Sequence, residues 1–229
     1  MAIEFKKDHA QVCEAWRVLG AVNRAPYLEA AIPKLALLTG DVNKARRLFS
    51  HLLTAAPTLD ASQLMKGATG ESNELYMTAR GKTMVIGTES TRAMAVLGQL
   101  IAALLTGNEV ILHCPSQNEM CIEAAKILYD TGLSEDVLSV ANDSQLVTLL
   151  YIDRLAQVAI AGDVKDVQDI SHELANTDGI LTQVIGMTDT EGLSDMFTLD
   201  YLYRFMTERV RTINTTAIGG NASLLELGT

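Results

Sequence analysis

The stretch KTMVIGTESTRAMAVLGQLIAALLTGNEVILHC, Lys82 to Cys114, decides the architecture. TMVIG is a short apolar run ending on a glycine, residues 92–106 form a longer apolar segment, and EVIL opens a second short run after Gly107-Asn108. Short apolar runs bounded by turn residues read as strands buried on both faces, and the longer segment between them reads as a crossover helix. The alternation continues along the chain: EVIL precedes 117–130, VLSV precedes 143–150, AQVAIAG precedes 164–176, and ILTQVI closes the series. Gly107-Asn108 and Gly132 fall where helices should stop, and Asp143 and Asp163 where helices should start. Local signals and the repeat therefore agree on a parallel sheet wrapped by helices.

Working outward, residues 82–186 form an α/β, Rossmann-like core with helices on both faces. Upstream, residues 9–56 are a helical lead-in: Cys13, Trp16, Leu19 and Leu28, Ala31, Ile32, Leu35 recur at three and four, and Asp41 is placed to cap a third helix. Residues 57–70 read as a break, and TGESNELYMTARG (69–81) alternates as a ribbon does. Beyond Gly186 come an acidic loop with Asp189, Glu191 and Asp195, a helix near Leu199 to Arg209, and the β-like run RVRTINTT. Ser72–Ala79 and Arg209–Thr216 both lack a partner within the parallel repeat, so they are expected to pair and project as a β-flap (69–81 with 207–217). Residues 218–229 remain as a tail.

The 229 residues are 48% hydrophobic, enough for one domain with a sizeable core. A formal net charge of -10 without a Lys/Arg cluster repels phosphate backbones and anionic lipid, which argues against nucleic acid or a membrane as partner. The longest apolar stretch, Met94 to Thr106, is too short to span a bilayer. Lys6, Lys7 and Asp8 near the start break any signal-peptide pattern, so a cytoplasmic protein is expected. Cys13, Cys114 and Cys121 show no CxxC or Cys/His zinc spacing, and no metal site is read from them.

A doubly wound sheet offers a ligand crevice at the carboxyl ends of its strands. Neither GxGxxG nor GxxxxGK[ST] occurs there; the first strand runs into GTESTRA (87–93). Gly162 precedes a helix start suited to a pyrophosphate, but Asp163 caps that helix with its own carboxylate and repels an incoming phosphate. Cys114 follows a strand beside His113 without the cation or base that activates a thiol. In IGGNASL (218–224) the paired glycines permit close backbone approach, which favours docking on a partner.

Several segments resemble the aldehyde dehydrogenase superfamily, and within it the dehydrogenase domain of the bifunctional proline utilization A enzymes. TGESNELYMTARGKTMVIG is similar to the ribbon and first strand, AALLTGNEVILHCPSQ to the second strand and its turn, and TERVRTINTTAIGGNASLLELG to the C-terminal motif. AWRVLGAVNRAPYLEAA resembles the opening helices. The departures bear on function. Thr88-Glu89-Ser90 stands where the family has proline-tryptophan-asparagine. Cys114 aligns with the family's ribose-holding lysine, Gly162-Asp163 with its pyrophosphate glycine-serine, and Gln183 with its general-base glutamate. No cysteine follows Cys121.

What the resemblance implies is a non-catalytic module that covers or stabilises the active site or substrate channel of an associated 1-pyrroline-5-carboxylate dehydrogenase. Gly87, Glu89, Cys114, Gly162, Asp163 and Gln183 would form a degenerate crevice, with no catalytic residue and no bound cofactor. Asn214, Thr215, Gly219, Gly220, Asn221 and Ser223 would meet the catalytic aldehyde dehydrogenase, or a second copy in a homodimer through the flap. The alternative is a fragment or subunit of the dehydrogenase that still binds NAD. A third possibility is a crevice taken over by an unrelated small ligand.

Overall fold

The computed structural model describes residues 8–141 and 146–215. Four helices come first: α1 (His9–Val18), α2 (Ala21–Leu35), α3 (Val42–Thr54) and α4 (Ala56–Leu59). The strands β1 (Ser62–Met65), β2 (Glu71–Ala79) and β3 (Lys82–Gly87) lead into α5 (Ala93–Leu105), β4 (Glu109–His113), α6 (Asn118–Tyr129), β5 (Leu138–Val140) and α7 (Leu146–Leu150). The chain continues through β6 (Leu155–Ala161), α8 (Val164–Ala175), β7 (Gln183–Met187), α9 (Leu199–Tyr203) and β8 (Met206–Asn214).

β3 to β7 form one parallel sheet in the order β5-β4-β3-β6-β7. The period of two is visible along β3: Val85 joins the core formed with α2, α3, α5 and α6, whereas Met84 and Ile86 face Val167, Ile170 and Leu174 of α8. Helix α5 is buried from Met94 to Leu105 because the sheet covers one side and the lead-in helices the other. Its length and apolarity thus belong to a core helix; among the described residues no helix is long and apolar enough to cross a membrane.

The lead-in is tied down by polar groups as well as by Leu28, Leu35, Leu48 and Phe49. Helix α2 starts at Gly20, which has no side chain to cap it, and Asp60 supplies the cap by accepting from the amides of Ala21 (2.6 Å) and Val22 (2.8 Å). Asp41 caps α3 through the Lys44 amide, as its position in the sequence requires. Gly107, at φ 89°, ends α5 in the left-handed region, and its bare Cα leaves room for the Arg24 guanidinium.

The ribbon pairing is as expected, antiparallel from Glu71↔Asn214 to Ala79↔Met206. Directly opposed side chains cooperate across it: Glu74 with Arg211, and Asn73 with Thr212. Three boundaries differ from the sequence reading. Within the break at 57–70, Ser62–Met65 forms β1 and pairs with β2, so the ribbon takes its third strand from this chain. The helix near Leu199 stops at Tyr203 rather than Arg209, since alternation from Met206 commits those residues to β8. Ile180 and Leu181 are exposed loop residues, and β7 begins at Gln183 where pairing with Gln157 starts. Asp143 lies outside the described residues.

Candidate crevice at the switch point

From β3 the chain moves outward to β4 and β5, then returns to place β6 on the other side of β3. Strand order therefore reverses between β3 and β6, and a crevice opens outside their carboxyl ends, where open α/β sheets take ligands. Its volume is about 490 Å³. The loop after β3 forms one wall and the start of α8 the other. The Thr88 amide donates to the carbonyl of Ala161 (3.1 Å) and to Thr91 Oγ1 (3.0 Å), which locks that loop to the end of β6.

Four carboxylates line this space: Glu89 on the β3 side, and Asp163, Asp166 and Asp169 from α8. No lysine or arginine is among the lining residues. His113, only 1% exposed, lines the crevice from the end of β4, and among the described residues both its ring nitrogens lack a hydrogen-bond partner.

The α8 N-terminus is closed on itself. Asp163 Oδ1 accepts from the Asp166 amide (2.8 Å), and Asp166 Oδ2 accepts from the Asp163 amide (3.2 Å), a reciprocal capping box. A dinucleotide pyrophosphate needs those amides and a positive potential; here both amides face carboxylates. Two carboxylates at this end disfavour a phosphate group there. A Cβ on Gly162 would lie 2.7 Å from Thr88 Oγ1 and 2.8 Å from Asp166 Oδ2, so this glycine makes room for the cap and the adjoining loop.

Of the residues expected in the crevice, Gly87, Glu89 and Asp163 line it. Gly162 sits buried just behind, its amide donating to the Met187 carbonyl at 3.1 Å. Cys114 requires a correction: it is 1% exposed and packs beneath Gly87, so its thiol faces the core and not the crevice. A hydrogen bond from Cys121 draws the Cys114 thiol down to about 7, and the same contact pushes the fully buried Cys121 up. Both residues are thus sealed from solvent.

Gln183 also requires a correction. It opens β7, opposite Gln157, at the amino end of a parallel strand, whereas the residue at the crevice end is Met187, opposite Ala161. Its alignment with a general-base glutamate puts it at the wrong end of the sheet. Asn214 ends β8 opposite Glu71, and the Thr215 amide donates to the Gly70 carbonyl at 2.8 Å. Gly219, Gly220, Asn221 and Ser223 lie outside the described residues. Sequence reasoning missed Asp166, although an acid three residues after the capping Asp163 is the signal of a capping box. Asp169 had no such signal, because only the turn of the helix aims it at the crevice.

No family model matches the chain. The bifunctional protein PutA of Escherichia coli (strain K12) is 26% identical over 166 residues, covering 72% of this chain and 11% of that protein. The chain thus spans about a tenth of the length of that curated relative. A structure of proline utilization A with proline bound in remote sites superposes with a TM-score of 0.66 at 25% identity, over 81% of this chain and 22% of the other. A mutant of the Bradyrhizobium japonicum proline utilization A gives 0.68 at 24% identity, with the same two coverages. Betaine aldehyde dehydrogenase from Staphylococcus aureus, a point mutant in complex with NAD+, shares the fold at a TM-score of 0.66 and 14% identity, over 79% of this chain and 40% of that one. The chain is thus similar in sequence, over most of its length, to part of the bifunctional protein PutA, and it shares its parallel-sheet fold with proline utilization A and an aldehyde dehydrogenase.

Proposed function

We propose that this chain is a non-catalytic aldehyde dehydrogenase-like module that works in the cytoplasm. It covers or stabilises the active site or substrate channel of an associated 1-pyrroline-5-carboxylate dehydrogenase of proline catabolism. The observation that carries this reading is the Asp163–Asp166 capping box, which puts two carboxylates, one of them bonded to the Asp166 amide, at the helix end a dinucleotide phosphate would approach. The buried Cys114 and Cys121, and the absence of any basic residue from the crevice lining, support it. Cys13 is the remaining cysteine; it sits on α1, away from the crevice, and its thiol is held up at about 12 by burial and then by nearby carboxylates.

A docking role draws support from the three-stranded ribbon. Leu64, Met65, Val210 and Ile213 are exposed on it, and among the described residues no strand pairs with the outer edge of β8. An exposed edge with apolar side chains accepts a further strand or surface, from the catalytic dehydrogenase or from a second copy of this chain. Calorimetry with NAD+ and NADP+ on the purified chain tests the reading directly. Absence of heat at millimolar cofactor is the expected result, and micromolar binding of either dinucleotide overturns it.

A further inference from the structure

At the opposite end of the parallel strands from the crevice, two elements bring together a small cluster of metal-ligating atoms. His9 and Cys13 lie one turn apart on α1, and Glu109 is the first residue of β4, nearly a hundred positions away in sequence. One ligand atom from each lies within 4.8 Å of the others. We propose that His9 Nε2, Cys13 Sγ and the Glu109 carboxylate bind a zinc-class divalent cation, with Asp136 orienting the imidazole.

The distances carry this. With Zn–S near about 2.3 Å and Zn–N and Zn–O near about 2.0 Å, a tetrahedral ion holds S and N about 3.5 Å apart and N and O about 3.3 Å apart. Cys13 Sγ lies 3.7 Å from His9 Nε2, and His9 Nε2 lies 3.3 Å from Glu109 Oε1. Two edges of such a tetrahedral face are close to the required lengths, the third pair of atoms lies within 4.8 Å, and water would take the fourth position.

The second observation is the other ring nitrogen. His9 Nδ1 is 3.1 Å from Asp136 Oδ1. A metal-binding histidine characteristically gives its free N–H to a carboxylate, which fixes the tautomer and aims the lone pair at the ion. The donor set of thiolate, imidazole and carboxylate selects zinc and its neighbours over calcium or magnesium, which prefer all-oxygen shells.

Charge points the same way. Glu109 and Asp136 both face this cluster through His9, and among the described residues Lys82 of β3 lies 3.5 Å from Glu109 Oε1. A dication adds the charge that the cluster lacks. On binding, Cys13 gives its proton to water, His9 gives up the Nε2 proton when it carries one, and Lys82 yields its share of Glu109. The His9 side chain is 52% exposed, so an ion has a direct path in from solvent.

The full chain, reduced and stripped with a chelator, is titrated with Co²⁺ and separately with Zn²⁺. A thiolate-to-cobalt charge-transfer band that Zn²⁺ bleaches is the expected result. Cys13→Ser abolishes the band, and His9→Ala and Glu109→Gln each weaken Zn²⁺ binding at least about tenfold. Cys114→Ser and Cys121→Ser leave it intact, and Ca²⁺ gives no heat. Circular dichroism of each variant confirms that it is folded, which is expected because His9 and Glu109 open their elements and Cys13→Ser is nearly isosteric. No charge-transfer band in the parent chain, or a band that survives Cys13→Ser, shows the cluster to be a hydrogen-bonded network only and overturns the proposal. The outcome is independent of whether the crevice binds dinucleotide.

Discussion

Asp163 and Asp166 hold each other's backbone amides across the first turn of α8, at 2.8 and 3.2 Å. The pair satisfies backbone amides at the end of the helix where a nucleotide-binding helix meets a phosphate. Asp163→Ala is expected to cost about 0.5–2 kcal/mol as a lost cap, and Asp163→Ser only a few tenths. Urea unfolding of the three proteins checks this; equal midpoints for Asp163→Ala and the parent would remove the cap from the explanation.

The chain by itself should not oxidise aldehydes. Cys114 and Cys121 are sealed in the core, and Gln183 stands at the wrong end of β7. Neither glutamate semialdehyde nor a simple aldehyde is expected to reduce NAD+ above background, and Gln183→Glu restores nothing. Cofactor reduction that persists in a Cys114→Ala, Cys121→Ala double variant would contradict this.

Gly87 closes β3 where the wall of the crevice meets the core. A methyl group there would sit 2.6 Å from Val96 Cγ2 and 2.7 Å from Cys114 Sγ, both held by packed elements. Gly87→Ala is therefore expected to lower stability by about 1–3 kcal/mol through overpacking. Combining it with Cys114→Gly opens space below, and part of the loss should return; additivity of the two changes in thermal unfolding would argue against the contact.

Arg24 is 2% exposed and donates to the carbonyls of Leu105 (2.8 Å), Trp16 (3.0 Å) and Arg17 (3.0 Å). It closes the ends of α5 and α1 together, and its guanidinium is lowered to about 10 by that burial. Arg24→Met keeps the volume and removes the donors, which leaves buried carbonyls unpaired; the expected cost is about 2–5 kcal/mol. A melting temperature like that of the parent would show that water replaces the side chain without penalty.

His9 is raised above its usual range, chiefly by its hydrogen bond to Asp136, with Glu109 adding to it, against the opposing effect of burial. A raised value in the folded state means that protonation favours folding. The contribution is complete below about pH 6.5, the unfolded value, and disappears as pH climbs through the folded one. In metal-free protein, His9→Gln should thus destabilise the chain more at pH 5.5 than at pH 8.5, by a modest amount given the exposure of the pair. A difference that grows toward high pH would reverse the assignment.

The local chemistry of this chain is written in the order of its residues. Short apolar runs alternating with longer helical stretches mark β3 to β7 and the helices between them, Asp41 and Asp163 announce their caps, and Gly107 and Gly132 stop their helices. Even the β2–β8 pairing was legible, because two alternating segments were left without partners. Each of these signals depends on neighbours within a turn or a strand. Which groups meet across the molecule depends instead on strand order and register, and these are settled only when the whole core packs. Tertiary structure alone turned Cys114 inward, carried Gln183 to the opposite end of the sheet and gathered Glu89, Asp163, Asp166 and Asp169 around one crevice. It also brought Glu109 beside His9 and Cys13, because docking α1 against the start of β4 closes a distance that no sequence spacing records.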